Sequence, residues 1–371
     1  MKFKNICCVT GSRAEFGIFK PLLTKLQASK KFNLSLVVTG SHFSHEHGYS
    51  VREVRGMFEV DYEIDKFNQN DSQIAKIKEM SEIQDDFSNY LKKTQPDLVI
   101  VIGDRYEILP IVIASYMSSI PIAHIHGGEI TLGSLDDGIR HAVTQLSQIH
   151  FTSTKDYAER VIKMGAKPIN VRNVGALGVE RVKNHIFMKR EKVEKKLGLI
   201  FGEVNAVCTL HPPTKEELNI SLLLDNLFSV IELHELNVIF TGSNGDAGGV
   251  QINESLEKYC RSNPKCKFFP SLGESFFIDV LNQVDFLIGN SSSAFLEAPV
   301  LKLPAINIGT RQSGRVAPKN IINSDISVES LSYSIKQSVG LKKKNSLLNL
   351  NNPYGNGTSS DQIINFLSNI E

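Results

Sequence analysis

The 371-residue sequence lacks an excess of charge of either sign, and it lacks long apolar runs. Its 41 lysines and arginines are balanced by 40 acidic residues, so neither a nucleic acid nor an anionic membrane is expected as a partner. No apolar stretch approaches the length that spans a bilayer, and the first residues show no signal-peptide pattern. We therefore expect a cytoplasmic protein.

Paired-cysteine and common nucleotide-binding motifs are also missing. The five cysteines are an odd number without a CxxC spacing, which favours reduced thiols over disulfides or a zinc site. The absence of GxGxxG and of GxxxxGK[ST] argues against a classical dinucleotide-binding domain and a P-loop kinase. No repeat of solenoid period and no low-complexity tract is present.

Short β-like runs alternate with helical segments along the whole chain, which is typical of stacked βαβ units in an α/β fold. Asn5–Thr10 is the first predicted strand, and Phe58–Ile64, Ile149–Thr152 and Ala305–Ile308 are among the others. Asp97–Ile102 is almost wholly apolar, as a strand buried on both faces should be. The length favours two domains, and we place the linker between residues 175 and 202.

Polar clusters directly follow most of the predicted strands. Ligands bind at the carboxyl ends of strands in open parallel sheets, so this placement predicts a site for a polar ligand. Two sheets whose carboxyl edges face each other would gather the clusters in one cleft.

The most informative cluster is Ile288–Glu297, where an apolar strand stops at Gly-Asn-Ser and a helical pattern begins. Free backbone N–H groups, the helix dipole and the hydroxyls of Ser291 and Ser292 would form an anion site. Glu297 would accept hydrogen bonds from sugar hydroxyls, and Arg311, after the next apolar run, would supply positive charge to a diphosphate. The alternative is a serine-capped helix with a surface acid.

Two further turns contain side chains that are candidates for binding a phosphate. Gly11–Glu15 leads from a strand into a helix and places Arg13 at the helix N-terminus. The alternative there is an N-cap with a first-turn acid. His211 follows an apolar strand and precedes two prolines that restrict the loop, so it would donate to a phosphate unless its role is structural.

Candidate acids and bases lie in the first half of the chain. Asp104 follows the buried strand, where desolvation would raise its pKa towards a range useful for proton transfer, while the adjacent Arg105 would lower it. Asp136, Asp137 and His141 open a helix, and the last two are one turn apart. This set suits general acid–base catalysis. The alternatives are an N-capping Asp104 and a solvated helix face.

His124 and His126, with the acids near them, raise the question of a zinc site. They are two residues apart on one strand, with His126 at its end. No HExxH and no Cys/His spacing accompanies them. We therefore predict no metal.

Seven motifs follow one another along the chain: Gly11–Glu15, Gly103–Arg105, His126–Glu129, Asp136–His141, Gly289–Ser292, Gly309–Gln312 and the turn at Tyr354–Gly357. Together and in this order, they resemble those of the hydrolysing UDP-N-acetylglucosamine 2-epimerases, the sialic-acid and legionaminic-acid branch of the UDP-GlcNAc 2-epimerase superfamily.

The resemblance implies a GT-B fold, in which two Rossmann-like domains face each other across a cleft and a C-terminal helix crosses back to the first domain. We expect the domains at residues 1–175, joined by the helix 358–371, and at residues 176–357. The resemblance also implies binding of a UDP-sugar, no metal or nicotinamide cofactor, and a homo-oligomer, either dimer or tetramer.

The implied reaction eliminates UDP across C1 and C2 of the sugar to give a 2-acetamidoglucal. Water then adds with the opposite configuration at C2, which releases N-acetylmannosamine and UDP. By family position, the groups that would hold UDP and the sugar are Arg13, Arg105, His211, Asn244, Ser291, Ser292, Glu297 and Arg311. The implied catalytic groups are Asp104, His126, Glu129, Asp136, Asp137 and His141.

One position departs from the commoner pattern. Many relatives have Glu where this sequence has His126, and a subset has His with one extra residue in the loop at 130–135. Either His126 or Glu129 would then handle the C2 proton. The motifs do not separate UDP-N-acetylglucosamine from UDP-N,N'-diacetylbacillosamine or GDP-linked sugars. A non-hydrolysing epimerase, a glycosyltransferase of the same fold and a non-catalytic nucleotide-sugar sensor are the competing functions.

Overall fold

The computed structural model describes residues 3–45, 48–69, 72–131, 135–212, 219–243, 248–343 and 345–370. The chain divides into two compact units. The first comprises Met1–Glu129, Leu135–Arg181 and Tyr354–Glu371, and the second comprises Ile130–Ser134 and Val182–Pro353. Among the described residues, no helix combines the length and the apolar character needed to cross a membrane.

The strands are β1 (Asn5–Thr10), β2 (Asn33–Thr39), β3 (Tyr62–Ile64), β4 (Leu98–Ile102), β5 (Ile122–Ile125), β6 (Ile149–Thr152), β7 (Val171–Asn173), β8 (Asn205–Thr209), β9 (Asn237–Thr241), β10 (Cys266–Phe269), β11 (Phe286–Gly289), β12 (Ala305–Ile308) and β13 (Ile321–Ser324).

The helices are α1 (Arg13–Ala28), α2 (Val51–Arg55), α3 (Gln73–Thr94), α4 (Ile108–Met117), α5 (Asp136–Leu146), α6 (Lys155–Lys163), α7 (Leu177–Lys183), α8 (Arg190–Leu197), α9 (Ile220–Leu233), α10 (Gly249–Ser262), α11 (Glu274–Leu281), α12 (Ser293–Leu296), α13 (Val328–Lys343) and α14 (Ser359–Asn369). Short 3-10 turns occupy Gly40–Phe43 and Pro168–Asn170.

The first unit is built on a parallel sheet with strand order β3-β2-β1-β4-β5-β6-β7. All five residues of β4 are buried, and alternate residues enter two different cores. Leu98 and Ile100 pack on the face covered by α1 and α14, whereas Val99 and Val101 pack on the face covered by α3 and α4. The prediction of a strand buried on both faces is confirmed.

Helix α14 belongs to the core of the first unit through Ile363 and Leu367. Glu180, which is 1% exposed, accepts a hydrogen bond from the backbone amide of Ser360 at 2.7 Å, at the start of this helix. Lys25 of α1 donates to Glu180 at 2.9 Å. A buried carboxylate thus joins the helix N-terminus to α1, which suits both the helix dipole and the orphan amides there.

The second unit has a parallel sheet with strand order β10-β9-β8-β11-β12-β13. Gly289 ends β11 with φ +136°, and a Cβ at this position would lie 1.9 Å from the carbonyl oxygen of Thr209. Only glycine allows β11 to approach β8 this closely at the strand end. This approach brings the segments after the two strands together.

Candidate functional site

Arg140, which is not among the predicted site residues, connects several of them in the first unit. Its side chain is 3% exposed and forms an ion pair with the carboxylate of Asp104. It also lies 3.2 Å from Oδ1 of Asp137 and donates to the carbonyl oxygen of Glu129 at 2.9 Å. Burial alone would lower the pKa of Arg140, but the charges of Asp104 and Glu129 raise it overall. The i, i+3 spacing from Asp137 is the sequence signal that could have identified this arginine.

Arg105 pairs with Glu107, an acid that the sequence analysis did not single out. Its Nη2 donates to Oε1 of Glu107 at 3.2 Å, whereas the neighbouring Asp104 pairs with Arg140. The pKa of Arg105 is raised, first by the charge of Glu107 and more weakly by Asp136 at the start of α5. The expected effect of Arg105 on the pKa of Asp104 stays a prediction. The structure adds Arg140 as a second cation at Asp104.

Asp137 and His141 meet as their spacing predicted. Nε2 of His141 lies 3.5 Å from Oδ2 of Asp137, one helical turn away. Burial is the main cause that lowers the pKa of His141, although the charge of Asp137 opposes it. The imidazole is therefore neutral at neutral pH, with Asp137 also held by Arg140.

His126 lies directly after β5 with φ +67°. Its Nε2 accepts a hydrogen bond from the amide of Leu177 at 3.4 Å, and its Nδ1 lies 3.7 Å from Oε1 of Glu129. A neutral imidazole carries one N–H, so this geometry assigns the proton to Nδ1, on the side of Glu129. Glu129 in turn accepts from the hydroxyl of Ser153 at 2.6 Å. The two residues proposed for the C2 proton are thus neighbours.

Both ring nitrogens of His124 contact other groups of the first unit, which indicates a structural role. Its Nε2 lies 2.8 Å from the carbonyl oxygen of Gly103, and its Nδ1 lies 3.1 Å from Oγ1 of Thr144. Burial lowers its pKa to about 3, so the ring is neutral. It joins β5 to the turn that carries Asp104. Within the described residues, no group of three or more His, Cys, Asp or Glu side chains could hold a metal ion.

Arg13 lies at the first position of α1, where its Nε is 3.1 Å from Oε2 of Glu53. Its side chain is 45% exposed. Ser12 caps the helix by accepting a hydrogen bond from the amide of Glu15 at 3.3 Å. The N-cap interpretation of this turn is confirmed, and the cap leaves the arginine side chain accessible to a ligand.

In the second unit, Asn290 organises the segments after β8, β11 and β12. Its side-chain amide pairs with the backbone of His211 through two hydrogen bonds of 2.8 Å. The backbone carbonyl oxygen of Asn290 accepts hydrogen bonds from the side chains of Gln312 at 2.8 Å and Arg311 at 3.2 Å. Burial and the charge of Arg311 lower the pKa of His211 to about 3. His211 is therefore a neutral donor beside a cation.

The turn at Gly289–Ser292 that leads into α12, here called the serine turn, differs in part from its prediction. Helix α12 begins at Ser293 as expected but is only four residues long. The amide of Ala294 donates to the carbonyl oxygen of Ser291 at 3.3 Å, and that of Phe295 donates to Ser292 at 2.9 Å. These two amides are engaged within the turn by tight i to i−3 bonds, so they are not available to an anion, while the anion site at the serines stays a prediction. Glu297 follows the helix and is buried. Asn244 lies outside the described residues.

Known proteins resemble the chain along nearly its whole length. The family model described as UDP-N-acetylglucosamine 2-epimerase matches residues 24–368. A GDP/UDP-N,N'-diacetylbacillosamine 2-epimerase (hydrolyzing) of Campylobacter jejuni is 35% identical over 88% of this chain and 85% of its own. The polysialic acid biosynthesis protein P7 of Escherichia coli is 34% identical over 95% of this chain and 90% of its own.

Solved structures agree in fold. The UDP-GlcNAc 2-epimerase of Methanocaldococcus jannaschii, in complex with UDP-GlcNAc and UDP, superimposes with a TM-score of 0.81 at 18% identity and covers 98% of this chain and 99% of its own. The enzyme of Neisseria meningitidis bound to UDP-GlcNAc gives a TM-score of 0.76, also at 18% identity, with 98% and 99% covered. The chain has the GT-B fold and belongs to the UDP-N-acetylglucosamine 2-epimerase family, in its hydrolysing branch.

Proposed function

We propose that the protein converts UDP-N-acetylglucosamine to N-acetylmannosamine and UDP through a 2-acetamidoglucal. The observation that carries the proposal is the pair of carboxylates, Asp104 and Asp137, held by the buried Arg140 at the carboxyl edge of the first sheet, with Arg140 also bonded to the backbone of Glu129. Carboxyl groups in such a place can stabilise a developing cation and move a proton. A sensor of a diphosphate gains nothing from acids beside its anionic ligand.

The chemistry explains why several acids are present. A C2–H beside an N-acetyl group is not acidic enough for its proton to be lost unaided. Cleavage of the C1–O bond must therefore precede loss of the C2 proton and give C1 oxocarbenium character. Nearby carboxylates stabilise that cation, and a base then removes the C2 proton. We assign this proton handling to Asp104 with the His126–Asp137 region. Asp136 and His141 complete the group.

The second unit supplies most of the groups for UDP in this proposal. The side chain of Asn290 holds the backbone of His211, and the backbone carbonyl oxygen of Asn290 accepts from Arg311, so both residues lie beside the serine turn. Arg311 would pair with the diphosphate, and the two serines of the turn, Ser291 and Ser292, would donate hydrogen bonds. Glu297 would accept from sugar or ribose hydroxyls. Arg13, Arg105 and Asn244 complete the proposed binding residues.

UDP-N,N'-diacetylbacillosamine is the alternative substrate. The relatives from Campylobacter jejuni and Legionella pneumophila are named for this sugar, and the latter is 30% identical over 99% of this chain. The name of the Escherichia coli relative supports a role in nonulosonic acid biosynthesis. A cytoplasmic location is supported by the five cysteines, which are all free thiols. Homo-oligomer formation is proposed from the family resemblance.

The reaction run in D2O tests the function and its mechanism together. With UDP-N-acetylglucosamine, we expect free N-acetylmannosamine that carries deuterium at C2, because the C2 proton is lost to a base and replaced from solvent. Mass spectrometry and NMR of the sugar give the readout. Hydrogen retained at C2 would contradict the proton-loss mechanism. UDP-N-acetylmannosamine as the product would indicate a non-hydrolysing epimerase, and turnover of only the bacillosamine substrate would establish the alternative.

Arg311→Ala is expected to weaken UDP binding by roughly 1.5–3 kcal/mol, the usual contribution of a charge-assisted hydrogen bond. Gln312 still holds the carbonyl oxygen of Asn290 in this variant, so the turn should persist. Calorimetric titration with UDP measures the effect. Arg261→Ala on α10, whose side chain is 77% exposed, is the matched control and should bind UDP normally. Equal affinities of the two variants would remove Arg311 from the site.

A further inference from the structure

Two buried carboxyl groups lie next to the Asp104–Arg105 turn without a role in the proposed chemistry. Glu15 of α1 is 8% exposed, and Glu107, just before α4, is fully buried at 0%. Oε2 of Glu15 accepts from the amide of Gly11 at 3.0 Å, and Oε1 of Glu107 accepts from Arg105 at 3.2 Å. The second oxygen of each group is buried and has no hydrogen-bond partner.

Glycines at three strand ends enclose these carboxyl groups. A Cβ at Gly11, after β1, would lie 3.3 Å from Oε2 of Glu15 and 3.6 Å from Cβ of Glu107. A Cβ at Gly40, after β2, would lie 2.8 Å from Cγ of Glu107, and one at Gly103, after β4, would lie 3.4 Å from Oε1 of Glu15. The pair therefore lies at the carboxyl edge of the sheet, where the backbones of three neighbouring segments leave room for it.

Two ionised carboxylates at this place would be costly. A buried charged oxygen without a partner loses its hydration, and two like charges in one site oppose joint ionisation. Arg105 is bonded to Glu107 alone and acts on Glu15 only through its charge, while Arg140 is engaged by Asp104 and Asp137. A single proton on the pair removes one of the two negative charges and so relieves this repulsion.

The charged groups around the pair agree with this account. Burial raises the pKa of Glu15 to about 8, the charge of Glu107 adds to the rise, Arg105 opposes it, and Asp104 contributes weakly. From the other packed elements, Asp136 of α5 acts on Arg105, and Glu79 of α3 interacts with Glu107. Glu15 is thus the group on which the proton resides at neutral pH.

We propose that the buried pair of Glu15 and Glu107 together carries one proton, and that the two act as positioning residues that hold Arg105 ready for an anionic ligand. With the proton in place, Glu107 and Arg105 form a neutral pair. When Glu15 ionises, its charge competes for Arg105 and repels a diphosphate. The inference rests on the proposed function only in that the ligand of Arg105 is the UDP-sugar.

The pH dependence of kinetics tests the proposal. In the wild-type enzyme, kcat/KM for UDP-N-acetylglucosamine should fall at alkaline pH, with the change carried by KM, around the Glu15 pKa of about 8. Glu15→Gln keeps a hydrogen-bond donor and removes the ionisation, so its alkaline fall should disappear. In Glu107→Gln, KM should rise at least about tenfold at neutral pH, the usual effect of losing a charge-assisted hydrogen bond. The control Glu159→Gln, exposed on α6, should keep the wild-type profile.

A measurement without substrate separates this proposal from the proposed function. NMR of the protein with carbon-13 at the glutamate carboxyls should show one resonance that titrates near the Glu15 pKa of about 8 and is lost in Glu15→Gln. That resonance in a protein inactive on UDP-sugars would leave the proton on the pair standing and reject the function. Ordinary titration of every glutamate, or a Glu15→Gln variant that retains the alkaline fall, would overturn the proposal. The NMR result decides even if Glu107→Gln fails to fold.

Discussion

Asp104→Asn is expected to lower kcat by at least about 10²-fold, the usual effect of removing a general acid or base. Asparagine has nearly the same shape and can still accept a hydrogen bond from Arg140, but it cannot carry the proton or the charge that stabilises C1. The rate of free N-acetylmannosamine release at saturating UDP-N-acetylglucosamine measures the effect. KM should change much less than kcat, since asparagine keeps the size of the side chain and most of the groups proposed for UDP belong to the second unit.

Asp156→Asn is the matched control for this prediction. Asp156 lies in the first turn of α6 and is exposed, so the same loss of charge there should leave kcat at the wild-type value. Both variants should retain the wild-type circular dichroism spectrum. If Asp104→Asn keeps wild-type turnover, Asp104 has no part in proton handling, and the catalytic base must be sought at Glu129 or His126.

Arg140→Met is expected to lower the free energy of unfolding of the first unit by about 3 kcal/mol, near the low end of the cost of breaking a buried ion pair. The low end applies because Asp104 and Asp137 retain 25% and 17% side-chain exposure and so keep part of their hydration. Methionine preserves much of the apolar contact of the arginine stem but leaves both carboxylates without their cation. The carbonyl oxygen of Glu129 also loses its donor.

Amide hydrogen exchange in β4 and β5 measures this change within one unit and does not require two-state unfolding of the whole chain. Arg160→Met, on the exposed face of α6, is the control and should change stability by less than about 0.5 kcal/mol. The double variant Asp104→Asn with Arg140→Met should recover part of the loss, because it also removes one of the two charges that Arg140 had balanced. Equal exchange rates in Arg140→Met and the control would show that water already solvates both carboxylates.

The order of strands and helices was largely predictable from local patterns. Buried parallel strands are continuous apolar runs, and β1, β6 and β12 have the bounds that the runs predicted. The edge strand β13 was not predicted, since it is mostly half-exposed and includes Asn323. The predicted strand at 58–64 is shorter in the structure, where it spans Tyr62–Ile64. Phe58 lies before this strand, and its ring packs on that of Phe16 with 5.9 Å between the ring centroids. Its apolar character therefore reflects burial and not membership of the strand.

The sequence by itself determined the class of fold and the positions of the polar clusters, because a strand end and the residues that follow it are neighbours along the chain. Tertiary structure alone decided which charges pair. Asp104 binds Arg140, which lies 36 residues away along the chain. It also decided the ionisation of Glu15, which the sequence presents as an ordinary first-turn acid. Burial and the nearby Glu107 raise its pKa to about 8, since loss of water and a second negative charge depend on how distant segments pack.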